Sequence, residues 1–236
     1  MRLALFDLDH TLIPFDSGLA WLRFLVGRGE LEPQAEADYL ACCMDYVAGR
    51  VDVRAVHRAL VNPLKASTRG GFERWMADFE AHIPATLPAA ARALVARHRA
   101  DGDRCCLVTA TTRFVAERYA AAFGIADVIA TEAARDSHGQ LTGDIVGLPC
   151  VREHKLTKLR GWLALQDTTL ADFERSWFYS DSSSDLPLLR AVSDPVTVRP
   201  DAELRAAAVQ AGWRVIETLA DPAPATDELK GPAPPA

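Results

Sequence analysis

Positive charge is not in excess in this chain, and long apolar runs are missing. Lys and Arg together number 26 against 32 Asp and Glu, so the formal net charge at pH 7 is −6. A protein that binds nucleic acid through its phosphates usually presents a basic patch, and no such block of residues stands out. No run approaches the roughly 18–20 apolar residues that a membrane span needs. We therefore expect neither a nucleic-acid partner nor a membrane partner.

Cysteine is scarce, and the spacing of the cysteines fits neither a disulfide framework nor a zinc site. The N-terminal segment reaches Asp7 after only a few apolar or basic residues, unlike a secretory signal peptide. Both observations favour reduced thiols in a cytoplasmic protein. The cysteines form two adjacent pairs and one single residue, which are Cys42, Cys43, Cys105, Cys106 and Cys150.

Short apolar runs alternate with helical periodicities along most of the chain. Such alternation predicts an α/β fold with a Rossmann-like open parallel sheet that helices cover on both faces. A glycine turn at residues 137–139 interrupts the pattern and predicts a β-hairpin between residues 128–133 and 140–146. The predicted strands of the sheet are residues 2–6, 104–108, 176–179, 195–198 and, more weakly, 213–216.

One long segment breaks this alternation directly after the first predicted strand. Between about residues 14 and 83, apolar residues recur at three- and four-residue spacing, which predicts helices without strands. We expect this segment to form a helical cap (residues 14–83) that is inserted into a core of residues 1–13 and 84–219. A Pro- and Ala-rich tail (residues 220–236) is predicted not to pack on the core.

Acidic and hydroxyl side chains follow three of the predicted strands at their carboxyl ends. Open parallel sheets bind ligands at that edge, so these side chains are expected to share one crevice. Clustered carboxylates repel one another unless a cation is present, and oxygen ligands suit a hard ion such as Mg²⁺. In strand order the residues are Asp7 and Asp9, then Thr109, then Asp181 and Asp185.

The first of these residues is suited to attack phosphorus. A carboxylate is a competent nucleophile when a metal reduces the charge repulsion, and Asp7 would then form an aspartyl-phosphate. Asp9 lies two residues further, faces the same way on an extended backbone, and would carry protons to the leaving alcohol and from water. Thr109 would hydrogen-bond a phosphoryl oxygen, and Lys155 would neutralise its charge. Lys158 is the alternative to Lys155.

In this order the motifs resemble those of the haloacid dehalogenase superfamily of phosphatases. The helical segment after the first motif is similar to the cap of the phosphoserine-phosphatase-like branch of that superfamily, subfamily IB. The resemblance extends from residue 1 to about residue 217 and implies a core of that family with an inserted cap. The motifs are Asp7-Leu8-Asp9-His10-Thr11, Thr109-Ala110 after an apolar strand, Lys155, and Asp181 followed by Asp185.

The resemblance also implies a role for each matching residue. Asp7 would be the nucleophile, Asp9 the general acid and base, and Lys155 a catalytic and phosphate-binding cation. The phosphoryl group would be bound by Thr109, Ala110 and Lys155. The Mg²⁺ ion would be held by Asp7, by the backbone carbonyl of Asp9, by Asp181 and by Asp185, the last either directly or through water.

Four positions depart from the pattern of phosphoserine phosphatases. Ala110 and Thr111 stand where those enzymes have two glycines, and Ser184 stands where they have an asparagine. Asp16 replaces a glutamate that helps to recognise the substrate amine, and it is one methylene shorter. The second and fourth motifs look closer to members that dephosphorylate histidinol phosphate. The resemblance thus implies a small phosphomonoester related to phosphoserine or histidinol phosphate, with Asp16 as a substrate-binding residue.

Two other functions stay open at this point. A phosphotransferase or mutase would use the same intermediate on Asp7 but pass the phosphoryl group to an acceptor other than water. A non-catalytic phosphoryl-binding module of the receiver type also clusters acids, a hydroxyl and a lysine. Receiver domains, however, lack an acid equivalent to Asp9 and a large cap after the first strand.

The sequence leaves two positions open for three arginines and predicts one orientation for His10. Arg50, Arg54 and Arg69 of the predicted cap are candidates for contact with an anionic substrate group, and a surface position is the alternative for each. His10 is expected to turn away from Asp7 and Asp9, because side chains alternate along extended backbone.

Overall fold

Eight strands occur in residues 1–219, which are the residues that the computed structural model describes; the predicted tail lies outside them. Their bounds are β1 Arg2–Phe6, β2 Arg104–Thr112, β3 Asp127–Thr131, β4 Ala133–Arg135, β5 Leu141–Ile145, β6 Arg175–Ser180, β7 Asp194–Val198 and β8 Arg214–Ile216. Six strands form a sheet in the order β3-β2-β1-β6-β7-β8, in which every neighbouring pair is parallel. The predicted α/β fold with an open, Rossmann-like parallel sheet is confirmed.

Nine α-helices accompany these strands within the same described region. Their bounds are α1 Ser17–Gly27, α2 Gln34–Val47, α3 Val53–Val61, α4 Arg69–His82, α5 Ala89–Ala100, α6 Arg113–Phe123, α7 Glu153–Ala164, α8 Leu186–Leu189 and α9 Ala202–Ala211. Helices α1 to α4 follow β1 without an intervening strand, as the periodicity predicts. The division of the chain into a core and a cap stays a prediction. No helix in residues 1–219 is both long and apolar enough to cross a membrane.

The predicted hairpin is wrong in its first arm. Residues 128–133 do not form one strand, because Asp127–Thr131 joins the edge of the large sheet in parallel to β2. Ile129 and Ala130 are buried in the core on opposite faces of this strand, as a sheet covered by helices requires. The hairpin is shorter and pairs Ala133–Arg135 with Leu141–Ile145 in antiparallel fashion.

Successive residues of β1 face two separate parts of the hydrophobic core. Ala4 and Phe6 pack with residues of α1 to α6, whereas Leu3 and Leu5 pack with residues of α7 to α9, and all four are fully buried. Burying a side chain of the size of leucine contributes about 1.5–3 kcal/mol. The packing on both faces fixes the strand whose carboxyl end carries Asp7.

Aromatic side chains attach the helices after β1 to the rest of the molecule. The ring of Trp21 on α1 lies 5.0 Å from that of Phe79 on α4, measured between centroids. Phe79 in turn lies 5.9 Å from Tyr119 on α6, in an edge-to-face arrangement. Such pairs add about 0.5–1.5 kcal/mol to the burial of the rings. Helices α1 and α4 are therefore held against α6.

Candidate active site

The carboxyl ends of β1, β2 and β6 open into a cavity of about 380 Å³. Helices α2 and α3 line the opposite side of this cavity. A groove of about 530 Å³ between α4, α6 and β5 is lined by Arg69, but by none of the residues with a predicted catalytic, phosphate-binding or metal-binding role and not by Asp16. All of them line the first cavity, to which Asp7, Asp9, Asp16, Thr109, Ala110, Lys155, Asp181 and Asp185 contribute. The fold thus brings motifs from distant parts of the sequence together.

Lys155 connects the first motif to the last. Its Nζ atom donates to Oδ1 of Asp7 at 2.8 Å and to Oδ2 of Asp185 at 2.7 Å, and the residue is only 4% exposed. Burial opposes the charged form of Lys155, but the carboxylates of Asp185 and Asp7 outweigh this effect and raise its pKa. The alternative candidate, Lys158, donates to the carbonyl of Leu148 at 3.2 Å and does not line the cavity. The structure therefore places Lys155, and not Lys158, beside Asp7.

Asp7 is fixed at the edge of the sheet directly after β1. Its backbone N–H donates to the carbonyl of Tyr179 on β6 at 2.9 Å. Burial raises the pKa of its carboxyl group, Lys155 acts in the opposite direction, and the charges of Asp185 and Asp181 raise the pKa further. This environment disfavours three negative charges together, and a bound cation would relieve it.

Asp9 faces a different set of partners from Asp7. Its Oδ1 atom accepts the backbone N–H of Ser17 at 2.8 Å, and its Oδ2 atom accepts the hydroxyl of Thr111 at 2.7 Å. Burial and the charge of Asp16 raise the pKa of Asp9 to about 6, although the bonds from Ser17 and Thr111 oppose this shift. A carboxyl group with a pKa near neutrality suits both donation and acceptance of a proton.

The threonines at the end of β2 form a hydrogen-bonded series that leads to Asp9. Thr109 is fully buried, and its hydroxyl donates to the hydroxyl of Thr111 at 3.2 Å. Thr111 in turn donates to Asp9. Sequence analysis treated Thr111 only as a departure from a glycine and missed its contact. The spacing alone predicts that the hydroxyl of Thr111 lies close to that of Thr109, because residues two apart lie on the same side of an extended strand.

The last motif offers oxygen atoms to a cation. Oδ2 of Asp185 accepts from Lys155 and, at 2.7 Å, from the hydroxyl of Ser180, whereas its Oδ1 atom is buried without a hydrogen-bond partner in the part of the chain that is described. Oδ1 of Asp181 accepts from the hydroxyl of Thr11 at 3.2 Å. A buried acceptor without a partner is unfavourable, and a hard cation or a water molecule on it would satisfy it. The residues therefore fit Mg²⁺.

The side chains alone would not complete a metal site. Within residues 1–219, no group of three or more His, Cys, Asp and Glu side chains is arranged to hold a metal ion. Asp9 directs its carboxylate to Ser17 and Thr111, so only its backbone carbonyl is left for a cation. Mg²⁺ usually keeps several waters and takes one or two carboxylates together with a substrate phosphate. A sparse set of this kind suits Mg²⁺ better than a cation that needs more protein ligands.

Asp16 and Tyr39 form an acidic corner of the cavity next to Asp9. Oδ1 of Asp16 accepts the backbone N–H of Leu19 at 2.7 Å and thereby caps α1. The hydroxyl of Tyr39 on α2 donates to the same oxygen at 3.0 Å. Both residues line the cavity, and sequence analysis missed Tyr39. The corner presents a fixed negative charge to whatever occupies the cavity.

His57 joins α3 to two other elements of the structure. Its Nε2 atom lies 3.1 Å from the carbonyl oxygen of Asp144 on β5, and its Nδ1 atom lies 3.1 Å from the hydroxyl of Thr112 on β2. Because a carbonyl only accepts, Nε2 carries the proton and Nδ1 accepts from Thr112. Burial lowers the pKa of His57, in agreement with a neutral ring. Sequence analysis missed this link between the predicted cap and the sheet.

The arginines of the predicted cap lie away from the cavity. None of Arg50, Arg54 and Arg69 lines it. Arg50 pairs with Asp45, Arg69 pairs with Glu73 in the next helical turn, and Arg54 donates to a backbone carbonyl. Each of the three arginines therefore lies at the surface, outside the described cavity.

His10 does not follow the predicted alternation. It adopts a φ of 58° and lines the cavity from an exposed position, because the backbone leaves the extended conformation after β1. The expectation that it turns away from the site is thus wrong.

A family model assigns the chain to a known class of enzymes. The model for haloacid dehalogenase-like hydrolases matches residues 4–190, so the chain belongs to this family. The predicted class, a phosphatase of the haloacid dehalogenase superfamily, is confirmed by this match and by the names of the relatives below.

Two relatives among proteins of named function extend over most of the chain. A histidinol-phosphatase of Neisseria meningitidis serogroup C is 38% identical over 222 residues, which cover 91% of this chain and 98% of that protein. The phosphoserine phosphatase SerB1 of Mycobacterium tuberculosis is 29% identical over 224 residues, which cover 90% of this chain and 69% of that protein.

Solved structures agree with the fold. A protein of unknown function from Bordetella pertussis Tohama I superposes with a TM-score of 0.84 at 39% identity, covering 92% of this chain and 98% of that one. A substrate-bound phosphoserine phosphatase superposes with a TM-score of 0.65 at 17% identity, covering 92% and 93%. The second likeness is a likeness of fold alone.

Proposed function

We propose that this chain is a Mg²⁺-dependent phosphatase that hydrolyses histidinol phosphate, or a closely related amine-bearing phosphomonoester, through an aspartyl-phosphate on Asp7. The proposal rests on one observation, which is that two carboxylates of the same cavity have different hydrogen-bond partners. Asp7 contacts Lys155, whereas Asp9 contacts Ser17 and Thr111. Two carboxyl groups in different surroundings serve as nucleophile and as proton carrier.

The reaction follows in two steps from these positions. First, a carboxylate oxygen of Asp7 attacks phosphorus, the bond from phosphorus to the ester oxygen breaks, and protonated Asp9 gives its proton to the leaving alkoxide. Second, ionised Asp9 takes a proton from water, whose oxygen attacks phosphorus and releases inorganic phosphate from Asp7. Lys155 neutralises the charge of the phosphoryl oxygens. Thr109 and Ala110 line the part of the cavity that would hold these oxygens.

The residues at the strand ends would hold the Mg²⁺ ion. The side chains of Asp7, Asp181 and Asp185 and the backbone carbonyl of Asp9 are the candidate ligands. When bound, the ion reduces the repulsion between the nucleophile and the phosphoryl group. The buried oxygen of Asp185 that has no partner within residues 1–219 supports this assignment.

The wall formed by the predicted cap favours histidinol phosphate over phosphoserine. Asp16 supplies a negative charge for a substrate amine, which both esters carry, so the choice between them rests on the rest of the wall. Among the described residues of this wall there is no Lys or Arg, so the wall itself offers no cation to the carboxylate that phosphoserine carries. Val47, Val53 and Val56 supply apolar surface for a ring. The similarity to a histidinol-phosphatase at 38% identity supports the same choice.

Free thiols support a cytoplasmic location for the enzyme. All five cysteines are unpaired, and Cys105, Cys106 and Cys150 are buried. Burial raises the pKa of Cys150 to about 12, which makes it an inert thiol. Reduced core thiols are typical of proteins in reducing compartments.

Phosphate release from histidinol phosphate, phosphoserine and sugar phosphates tests the proposal. We expect kcat/KM for histidinol phosphate to exceed that for phosphoserine by about ten-fold or more, since the wall formed by the predicted cap offers apolar surface for a ring and no cation for a carboxylate. A preference for another ester would reject the substrate, and no release from any ester would reject the phosphatase. Equal release with and without alcohol acceptors separates hydrolysis from phosphotransferase or mutase activity, and a long-lived acyl-phosphate would indicate a receiver-type module.

A further inference from the structure

Arg152 adopts a backbone conformation that is unusual for any residue with a side chain. Its φ is 51° and its ψ is −133°, directly before α7. The N–H of His154 donates to the carbonyl of Val151 at 2.9 Å, which closes a tight turn with Arg152 at its first central position. Turns of this geometry favour glycine there, because a Cβ atom is strained at positive φ. The turn itself does not explain an arginine at this position, so the strain points to a function of the side chain.

Arg152 lines the cavity, and its side chain has no partner among residues 1–219. None of the hydrogen bonds, ion pairs or cation–π contacts found in residues 1–219 involves its guanidinium group. Arg152 is an exposed residue of the cavity lining, three residues before Lys155. By contrast, Arg50, Arg113 and Arg175 each pair with a carboxylate.

The charged side chains that line the cavity indicate which kind of ligand this guanidinium can bind. Two side chains with permanent positive charge, Lys155 and Arg152, line the described cavity, and Lys155 is already bonded to Asp7 and Asp185. Five carboxylates line the same cavity, so an approaching phosphomonoester dianion meets a strongly negative field. Guanidinium groups match the geometry of phosphoryl oxygens through paired N–H donors.

We propose that Arg152 binds the phosphoryl oxygens of the substrate on entry and those of inorganic phosphate on departure. This inference rests on the proposed phosphatase function and adds a phosphate-binding residue to it. The strained turn places Arg152 at an exposed position of the cavity lining, whereas the ammonium of Lys155 is buried between Asp7 and Asp185. Arg152 thus serves binding, and Lys155 serves the chemical steps.

The test compares Arg152→Gln, Arg152→Lys and Arg152→Gly with Arg54→Gln, a matched change of an arginine outside the cavity. Inorganic phosphate is the probe, measured as a competitive inhibitor, together with KM and kcat for histidinol phosphate. Arg152→Gln should raise both the inhibition constant and KM about ten-fold with a smaller change in kcat, because a charge-assisted contact is lost. Arg152→Lys should retain part of the binding, and Arg54→Gln should behave as wild type.

Arg152→Gly separates the backbone from the side chain. Glycine adopts the turn without strain, so this variant should be at least as stable to heat as wild type while binding phosphate as weakly as Arg152→Gln. An inhibition constant within about two-fold of wild type in both variants would overturn the proposal. A selective effect on phosphoserine alone would also overturn it, in favour of a carboxylate contact. If wild type cleaves no ester, the proposed function fails, and calorimetric binding of phosphate to wild type and Arg152→Gln still decides the role of Arg152.

Discussion

The ammonium of Lys155 lies 2.8 Å from the carboxylate of Asp7, although 148 positions separate the two residues in the sequence. Both are buried, so neither charge is solvated by bulk water and each depends on its partner. Asp185 completes the group as a second acceptor. The contact joins the end of β1 to α7 and makes the proposed nucleophile part of a structural ion pair.

Lys155→Met is expected to reduce both stability and activity. It leaves Asp7 and Asp185 buried without their cation, and breaking a buried pair in this way costs about 3–5 kcal/mol. Loss of the charge that stabilises the phosphoryl oxygens should lower kcat by about 10²–10³-fold. Urea unfolding and phosphate release measure the two effects. Lys158→Met is the matched control, and equal effects of both substitutions would contradict the assignment of Lys155.

Asp7→Asn and Asp9→Asn should separate the nucleophile from the proton carrier. Asp7→Asn keeps the shape of the side chain but cannot form the aspartyl-phosphate, so turnover should be lost while folding is retained. Asp9→Asn should lower kcat by about 10²–10⁴-fold. Phosphate release and circular dichroism provide the readouts, with Asp45→Asn on the outer surface as control. A near wild-type rate in Asp7→Asn would exclude the covalent mechanism.

Asp16→Asn should weaken binding of the amine without disturbing α1. Asparagine caps a helix about as well as aspartate, so the N-terminus of α1 should remain intact. Loss of a charged contact is worth about 1.5–3 kcal/mol, which corresponds to about ten- to hundred-fold in KM for histidinol phosphate. Glycerol phosphate, which has no amine, is the control substrate. An equal loss for both esters would show that Asp16 supports the cavity wall and not the amine.

His57 should make the free energy of unfolding depend on pH. Burial lowers its pKa from the ordinary value of 6.5, so the unfolded chain takes up the proton first as pH falls. Its stabilising contribution is therefore complete above pH 6.5 and is lost as the pH falls toward the folded pKa, with a slope of at most about 1.4 kcal/mol per pH unit. His57→Gln should reduce this slope in urea unfolding, whereas His138→Gln in the exposed hairpin turn should not. An unchanged slope in His57→Gln would argue against a neutral buried ring.

Removal of divalent metal should abolish activity. EDTA should stop phosphate release, and added Mg²⁺ should restore it, because the carboxylates at the strand ends need a cation when the phosphoryl group binds. Ca²⁺ at the same concentration is the matched control, since it is larger and prefers more oxygen ligands. Activity that is indifferent to chelation would rule out the metal assignment.

The positions of Asp7, Thr109 and Asp181 could be predicted because each lies at or near the carboxyl end of a buried strand. The apolar run of β1 is readable on its own, and the carboxylates after it must then lie at the ligand-binding edge. The edge strand Asp127–Thr131 was harder, because a short apolar run close to a glycine turn fits a hairpin arm equally well. Its parallel pairing with β2 depends on residues far away in the sequence.

Contacts between distant side chains escaped sequence analysis for a related reason. Periodicity shows which face of α3 is apolar, but it does not show that His57 meets Thr112 and Asp144. The turn at Arg152 carries no sequence signal, since its positive φ is usually marked by glycine. The partition of Asp7 and Asp9 between different partners likewise required the folded arrangement.

Asp16 begins a helix and, in the proposed function, also binds the substrate amine. It terminates the loop after β1 by accepting the N–H of Leu19, and it presents the same carboxylate to the cavity. Exchange for alanine would forfeit a helix end worth about 1 kcal/mol together with the negative charge. Glutamate would keep the charge but is a poorer residue at a helix start. A relative that acts on esters without an amine would not need the charge at position 16, but it would still need a residue that begins a helix. The uncharged residues that meet this requirement are few, such as serine, threonine and asparagine.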